Sequence, residues 1–242
     1  MFFMKQKKFS TAIRAAFPHT IPVFAGYIVL GFGFGLLLQS KGYHFVWAFF
    51  MSVTIFAGSM QYVAVDLLAS GASLITCAIM TLLINARHLF YGISMLGRYR
   101  DIKKVKPYLI FGLTDETYGL VCSTEPPDNI DRSAFYFWIT FLNHCYWITG
   151  CTLGTLFGQA IPINTRGVDY AMTALFTVIL TDNLLKKSSR VPAVIGLTVS
   201  FICLQIFGSN NFLIPAMLGI AACLMLFRPL LEKENQDEPY NT

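Results

Sequence analysis

Apolar residues run along this chain in long stretches separated by short polar clusters. A helix that crosses ~30 Å of hydrocarbon needs about 20 of them in succession. Charge-free stretches predict a first span over roughly Thr20 to Leu38, entered through Pro18 and Pro22. A second lies between Lys41 and Asp66, running on to Leu68, and a third runs from near Ser73 to Gly97. The fourth, Pro107 to Ser123, is short. Ser133 to Thr165 has no Asp, Glu, Lys or Arg and predicts one long helix ending near Gln159. A sixth span covers Val168 to Leu185. Val191 to Phe227 is too long for one span, and the turn signal Gly208-Ser209-Asn210-Asn211 divides it into a seventh and an eighth. The pattern predicts a basic N-terminal segment over 1–18, one integral membrane domain over 19–231 and a polar, acidic tail over 232–242.

Composition agrees with the pattern. The 242 residues are 55% hydrophobic and only 13% charged, against roughly 25% charged in soluble domains. Too few polar groups are present to cover a soluble body, and the chain is too apolar for disorder. Lipid admits helices or closed barrels, and a barrel would alternate in strands of about ten residues. The fold class is therefore an all-α polytopic integral membrane protein with seven or eight hydrophobic helices, some of them broken or re-entrant. The net charge of +5 comes from clusters between apolar runs: Lys5, Lys7, Lys8 and Arg14; Arg98 to Lys106; Lys186, Lys187 and Arg190. That is the pattern of loops flanking spans, and it does not point to nucleic acid. Counting Lys and Arg does not fix the orientation. The totals are the same whether every segment crosses or one of the first three does not. The six cysteines form no C-x-x-C pair, so no metal site is predicted. The first apolar run lacks a small-residue cleavage site after it and is read as a retained span.

The chemistry sits where polar residues interrupt the spans. Phe56-Ala57-Gly58-Ser59-Met60-Gln61 in the second segment invites a helix break, whose exposed backbone could bind a ligand in a cavity. Close helix packing at Gly58 and Ser59 is the alternative. In the third segment Asn85 and His88 share one helix face, and Arg87 and Tyr91 another. An unpaired Arg87 at that depth costs ~2.5–3.5 kcal/mol on insertion scales, so it needs a carboxylate, a carbonyl or an anionic ligand unless it snorkels. The fourth segment carries Asp115 and Glu116 in the middle of an apolar stretch. Neighbours on a helix point about 100° apart. One carboxylate can face a cavity while the other pairs with a base such as Arg87.

Gly150, Gly154 and Gly158, four residues apart, form a packing face in the fifth segment, which also holds Asn143, His144, Tyr146 and Trp147. Asp169, Thr173 and Thr177 share a face of the sixth, with Asp169 equally suited to capping. Gly31-Phe32-Gly33-Phe34-Gly35 has the wrong spacing and setting for a dinucleotide loop, and no G-x-x-x-x-G-K-[ST] occurs. No cofactor is predicted.

Five motifs stand in a distinctive order: Phe56 to Gln61, Asn85 to Gly92, Leu113 to Tyr118, Gly167-Val168-Asp169-Tyr170-Ala171 and Asn211-Phe212-Leu213-Ile214-Pro215. In these, and over about residues 10 to 228, the sequence resembles the AzlC family, the large subunit of bacterial branched-chain amino-acid exporters. The resemblance implies export of leucine, isoleucine, valine and often methionine across the bacterial cytoplasmic membrane. It also implies a small hydrophobic AzlD-type partner subunit. Ser59, Gln61, Asn85, Arg87, His88 and Tyr91 are the candidate substrate-binding residues, and Asp115 and Glu116 the candidates for proton or ion coupling. A channel or an assembly subunit without carrier activity is the alternative reading. An intramembrane enzyme using His88 and Asp115 lacks a nucleophile or metal set at a suitable spacing.

Overall fold

The computed structural model describes residues 2–160, 177, 180, 181, 184, 185, 187–212, 215, 216, 218–220 and 222–227. The chain is an all-α membrane protein. Among the described residues, Thr11–Ser40, Leu74–Ser94 and Arg190–Gly208 are helices long and apolar enough to cross a membrane. By internal contacts the chain forms two compact units, Met1–Ala171 and Met172–Thr242.

In the first unit, α1 (Phe2–Ser40) starts well before Thr20, and Pro18 and Pro22 lie inside it rather than at its entrance. Tertiary packing holds this early stretch in place, because Ala12 and Ala16 are completely buried. α1 runs parallel to α7 (Arg132–Ala160), the predicted fifth helix. The seam between them is built from glycine. A Cβ on Gly31 would lie 2.9 Å from the Cys151 nitrogen, one on Gly150 would lie 2.7 Å from the Tyr27 carbonyl, and ones on Gly35 and Gly154 would collide with the opposite backbone. The predicted packing row therefore holds. Its counterpart is the Gly31–Gly35 stretch of α1, whose glycines let two backbones touch.

The second predicted span is a helical hairpin. α2 (Phe45–Thr54) and α3 (Gly58–Ala69) are separated by a break at 55–57, where the sequence pattern invited one. Phe56 turns the chain with a φ of 43°, a left-handed value that costs ~1–3 kcal/mol in a non-glycine residue. Its ring is held by stacking on His144 at 4.2 Å. A straight helix would separate Lys41 and Asp66 by about 37 Å. Instead Lys41 Nζ lies 3.8 Å from Asp66 Oδ1, so α3 returns to the end that α2 left. At 34% and 64% exposure this pair contributes little stability, but it reports the topology.

α4 (Leu74–Ser94) follows, capped by Ser73, whose side chain accepts the Thr76 N–H. The predicted fourth span is also a hairpin. α5 (Lys106–Phe111) and α6 (Asp115–Ser123) flank a break at Gly112 to Thr114. α6 returns to the loop that precedes α5: Arg98 donates to the carbonyls of Cys122 and Thr124 and pairs with Glu125 at 2.8 Å. Asp115 and Glu116 are therefore not mid-helix but in the first turn of α6. Thr114 caps that turn by accepting the Thr117 N–H. Negative charge at a helix N-terminus is favourable, which favours a helix start here over a continuous span.

The first unit thus contains two triplets, α1–α2–α3 and α4–α5–α6. Each is a long helix followed by a re-entrant hairpin, and the triplets run in opposite directions. Arg14, Arg98, Arg100, Lys103, Lys104, Lys106 and Arg132 fall at one end and Lys41 at the other. Within the first unit the positive-inside rule, undecided on sequence alone, favours the basic end as the cytoplasmic one. In a background free of native cysteines, Ser40→Cys and Ser70→Cys are expected to react with an impermeant maleimide from one side of the membrane. Arg100→Cys and Asp128→Cys should react from the other. Labelling of residues 40 and 70 from opposite sides would show a full span instead of a hairpin.

In the second unit, α8 (Lys187–Asn211) is interrupted at Gly208, whose φ of 71° makes the turn predicted there. The apolar helix Leu218–Phe227 follows. A Cβ on Gly219 would meet Val199, so this segment folds back on α8. Asp169, Thr173 and the acidic tail over 232–242 lie outside the described residues.

Candidate functional site

The tips of the two hairpins meet near the middle of α7, at Thr140 and His144. A Cβ on Gly112 would lie 3.5 Å from the Phe56 ring and would collide with the Thr140 methyl. His144 of α7 sits between the hairpins. Its Nε2 lies 3.1 Å from the Ser52 carbonyl of α2, and its Nδ1 lies 3.1 Å from the Tyr108 hydroxyl of α5. Irregular backbone is tolerated at membrane depth only where protein or a cavity surrounds it, and here α7 supplies the protein.

Two polar networks start from these tips. In the first, Arg87 of α4 pairs through Nη1 with Asp115 Oδ2 at 2.6 Å and donates through Nη2 to Ser59 Oγ at 2.9 Å. Tyr91, one turn on, donates to the other Asp115 oxygen at 2.7 Å. The predicted sharing of a face by Arg87 and Tyr91 is what brings both to one carboxylate. Tyr91 also stacks on Tyr118 at 4.5 Å. The ion pair joins α4 to both tips. It remains accessible, with the two side chains 39% and 36% exposed. Arg87 Nε and Asn85 Oδ1 are buried without a hydrogen-bond partner, so the site retains unused donor and acceptor capacity.

The second network belongs to Glu116. Tyr27 of α1 donates to Glu116 Oε2 at 2.7 Å and lies 2.6 Å from Thr114 Oγ1. Thr114 donates to Thr117, which also accepts from Asn143 Nδ2 of α7. The two adjacent carboxylates thus face different helices, as their angular separation requires.

The remaining predicted residues divide. Gln61 is fully buried, and its Oε1 accepts from Trp147 Nε1 at 2.8 Å, while its Nε2 has no partner. His88 Nδ1 lies 3.2 Å from the Asn85 carbonyl of its own helix, and its ring meets Tyr91 edge-on. Ser59, Arg87, Tyr91 and Asp115 form one network, Glu116 a second, and Gln61 bonds elsewhere. Tyr27 was not among the candidates, since one tyrosine in an apolar, glycine-rich run gives no signal. Asn143 and Thr117 were visible as polar residues in spans but carried no assigned role. Among the described residues no group of three or more His, Cys, Asp or Glu is placed to hold a metal ion.

Opposed hairpins around an accessible ion pair define a class: membrane proteins with discontinuous helices around a polar centre, an arrangement in which transporters place binding sites. The pattern that defines the AzlC protein family matches residues 22–161, more than half of the chain. The chain is 44% identical to the branched-chain amino acid transport protein AzlC of Bacillus subtilis, over 95% of this chain and 90% of that one. It is 40% identical to an uncharacterized membrane protein of Helicobacter pylori strain J99, over 93% and 98%. It is 29% identical to the inner membrane protein YgaZ of Escherichia coli, over 70% and 72%. No solved structure matches it. The chain belongs to the AzlC family of membrane transport proteins.

Proposed function

We propose that the chain exports branched-chain amino acids, with valine, leucine, isoleucine and methionine as substrates. It acts with a small AzlD-type subunit in the bacterial cytoplasmic membrane and is driven by a proton or ion gradient through Asp115 and Glu116. The observation that carries this reading is the accessible Arg87–Asp115 pair between the hairpin tips. An amino acid is a zwitterion. It can enter between the two side chains, its carboxylate replacing Asp115 at Arg87 and its ammonium replacing Arg87 at Asp115. Every charge keeps a partner, which matters where an unpaired one costs ~2.5–3.5 kcal/mol. Ser59, in the first turn of α3, stands beside the carboxylate position. The helix has no side-chain cap at Ala57, so the positive end of its dipole is available to the same anion. Tyr91 and Tyr118 wall the ammonium side.

The choice of aliphatic side chain is supported by the relative from Bacillus subtilis, and the geometry supports the zwitterionic head. Hairpins that enter from opposite ends give each end its own gate. Cells expressing the chain with a small AzlD-type subunit and loaded with a valine dipeptide should export valine. Arg87→Gln should reduce that efflux at least about tenfold, an activation cost of ~1.4 kcal/mol or more. Wild-type efflux from Arg87→Gln would rule out the substrate contact.

A further inference from the structure

Asp115 and Glu116 are adjacent, yet the structure gives them different surroundings. Both oxygens of Asp115 accept from α4, one from Arg87 and one from Tyr91. Glu116 is bound by the hydroxyl of Tyr27, which belongs to α1. A hydroxyl has one hydrogen to give, and Tyr27 lies within reach of two acceptors, Glu116 Oε2 and Thr114 Oγ1.

We propose that Glu116, and not Asp115, takes up and releases the coupling proton, and that Tyr27, turning between Glu116 and Thr114, relays its state to α1. With Glu116 ionised, Tyr27 donates to it and Thr114 donates to Thr117. When a proton from water binds Glu116, the carboxylic acid donates to Tyr27 and Tyr27 turns its hydrogen to Thr114, which still donates to Thr117, 3.0 Å away. Each hydroxyl keeps one hydrogen, and only that of Tyr27 changes partner. The chain ends at Asn143, which is fully buried, donates through Nδ2 to Thr117 at 3.0 Å and has an Oδ1 with no partner. On release the proton returns to water and Tyr27 turns its hydrogen back to Glu116. The charged and titratable groups that face Glu116 are Tyr27 from α1, Arg87 and Tyr91 from α4, and Asp115 beside it. Asp115 is then left to hold the substrate ammonium, so proton and substrate occupy adjacent residues and do not compete for one carboxylate.

This assignment deepens the transport reading above, and its test separates the two. Infrared difference spectra of the purified chain, recorded on acidification, should contain a slowly exchanging carboxylic-acid band. Glu116→Gln should remove that band, Asp115→Asn should keep it, and Tyr27→Phe should shift it by deleting its hydrogen-bond partner. A band retained in Glu116→Gln, lost in Asp115→Asn or unmoved in Tyr27→Phe overturns the assignment. In proteoliposomes holding the chain and its small partner, a pH gradient should accelerate wild-type valine transport and no longer accelerate that of Glu116→Gln. Acceleration by the gradient in folded Glu116→Gln overturns the coupling role. If wild-type liposomes do not move valine at all, the substrate reading fails, while the infrared result still decides which carboxylate carries the proton.

Discussion

The double variant Arg87→Gln/Asp115→Asn is expected to recover most of the folded protein lost by either single variant, and to export nothing. Each single change leaves one charge at mid-depth without its 2.6 Å partner, at ~2.5–3.5 kcal/mol on insertion scales. The double variant removes both charges and leaves two amides that can bond to each other. A double-mutant cycle on stability in detergent should therefore give a coupling energy of about 2 kcal/mol. Transport should stay absent, because neither substrate charge has a counter-charge. A double variant that exports valine at the wild-type rate would reduce the pair to a structural role. One as unstable as the singles would mean that the two residues do not depend on each other.

Gly154→Val should cause the largest loss of stability in the fold. The position its Cβ would take is already occupied by the Phe32 carbonyl of α1, with the carbonyl carbon and Cα of Phe32 2.8 Å away. Backbone cannot yield as a side-chain tip can, so the α1–α7 seam must open along its length. The expected cost is about 3 kcal/mol or more, read as a fall in Tm and a loss of monodisperse protein in detergent. Gly26→Ala and Gly196→Ala, where nothing lies within 4 Å, should hold or raise Tm, since alanine is favoured over glycine in a helix by roughly 1 kcal/mol. Equal effects from Gly154→Val and Gly26→Ala would show that the seam does not carry the first unit.

Much of this architecture was legible in the sequence, and the failures are specific. The apolar runs located the helices because lipid imposes a length. The Gly58-Ser59 break was readable from residues that do not favour a continuous helix. Whether the chain crosses or returns after the break stayed open, because a local sequence records a break and the contact between Lys41 and Asp66 decides the direction. The second break was written locally and read past. Thr114 followed by Asp115 and Glu116 is a cap with an acidic first turn, a helix start that the surrounding apolar run outweighed. Sequence also paired Arg87 with Tyr91 on one face but could not choose between two adjacent carboxylates. Only the position of α1, with Tyr27 reaching Glu116, separates their environments.

Both hairpin tips rest on α7, through His144, Thr140, Asn143 and Trp147, and α7 is made after them. A nascent chain that has emerged only to residue 125 already contains both hairpins, but not the helix that covers their broken backbone. Lipid cannot satisfy those peptide groups, so the hairpins must wait at the membrane surface or inside the insertion machinery until α7 arrives. The order of translation therefore makes α7 the keystone of biogenesis. A chain truncated before Arg132 should be degraded as an unassembled intermediate rather than persist as a smaller membrane protein.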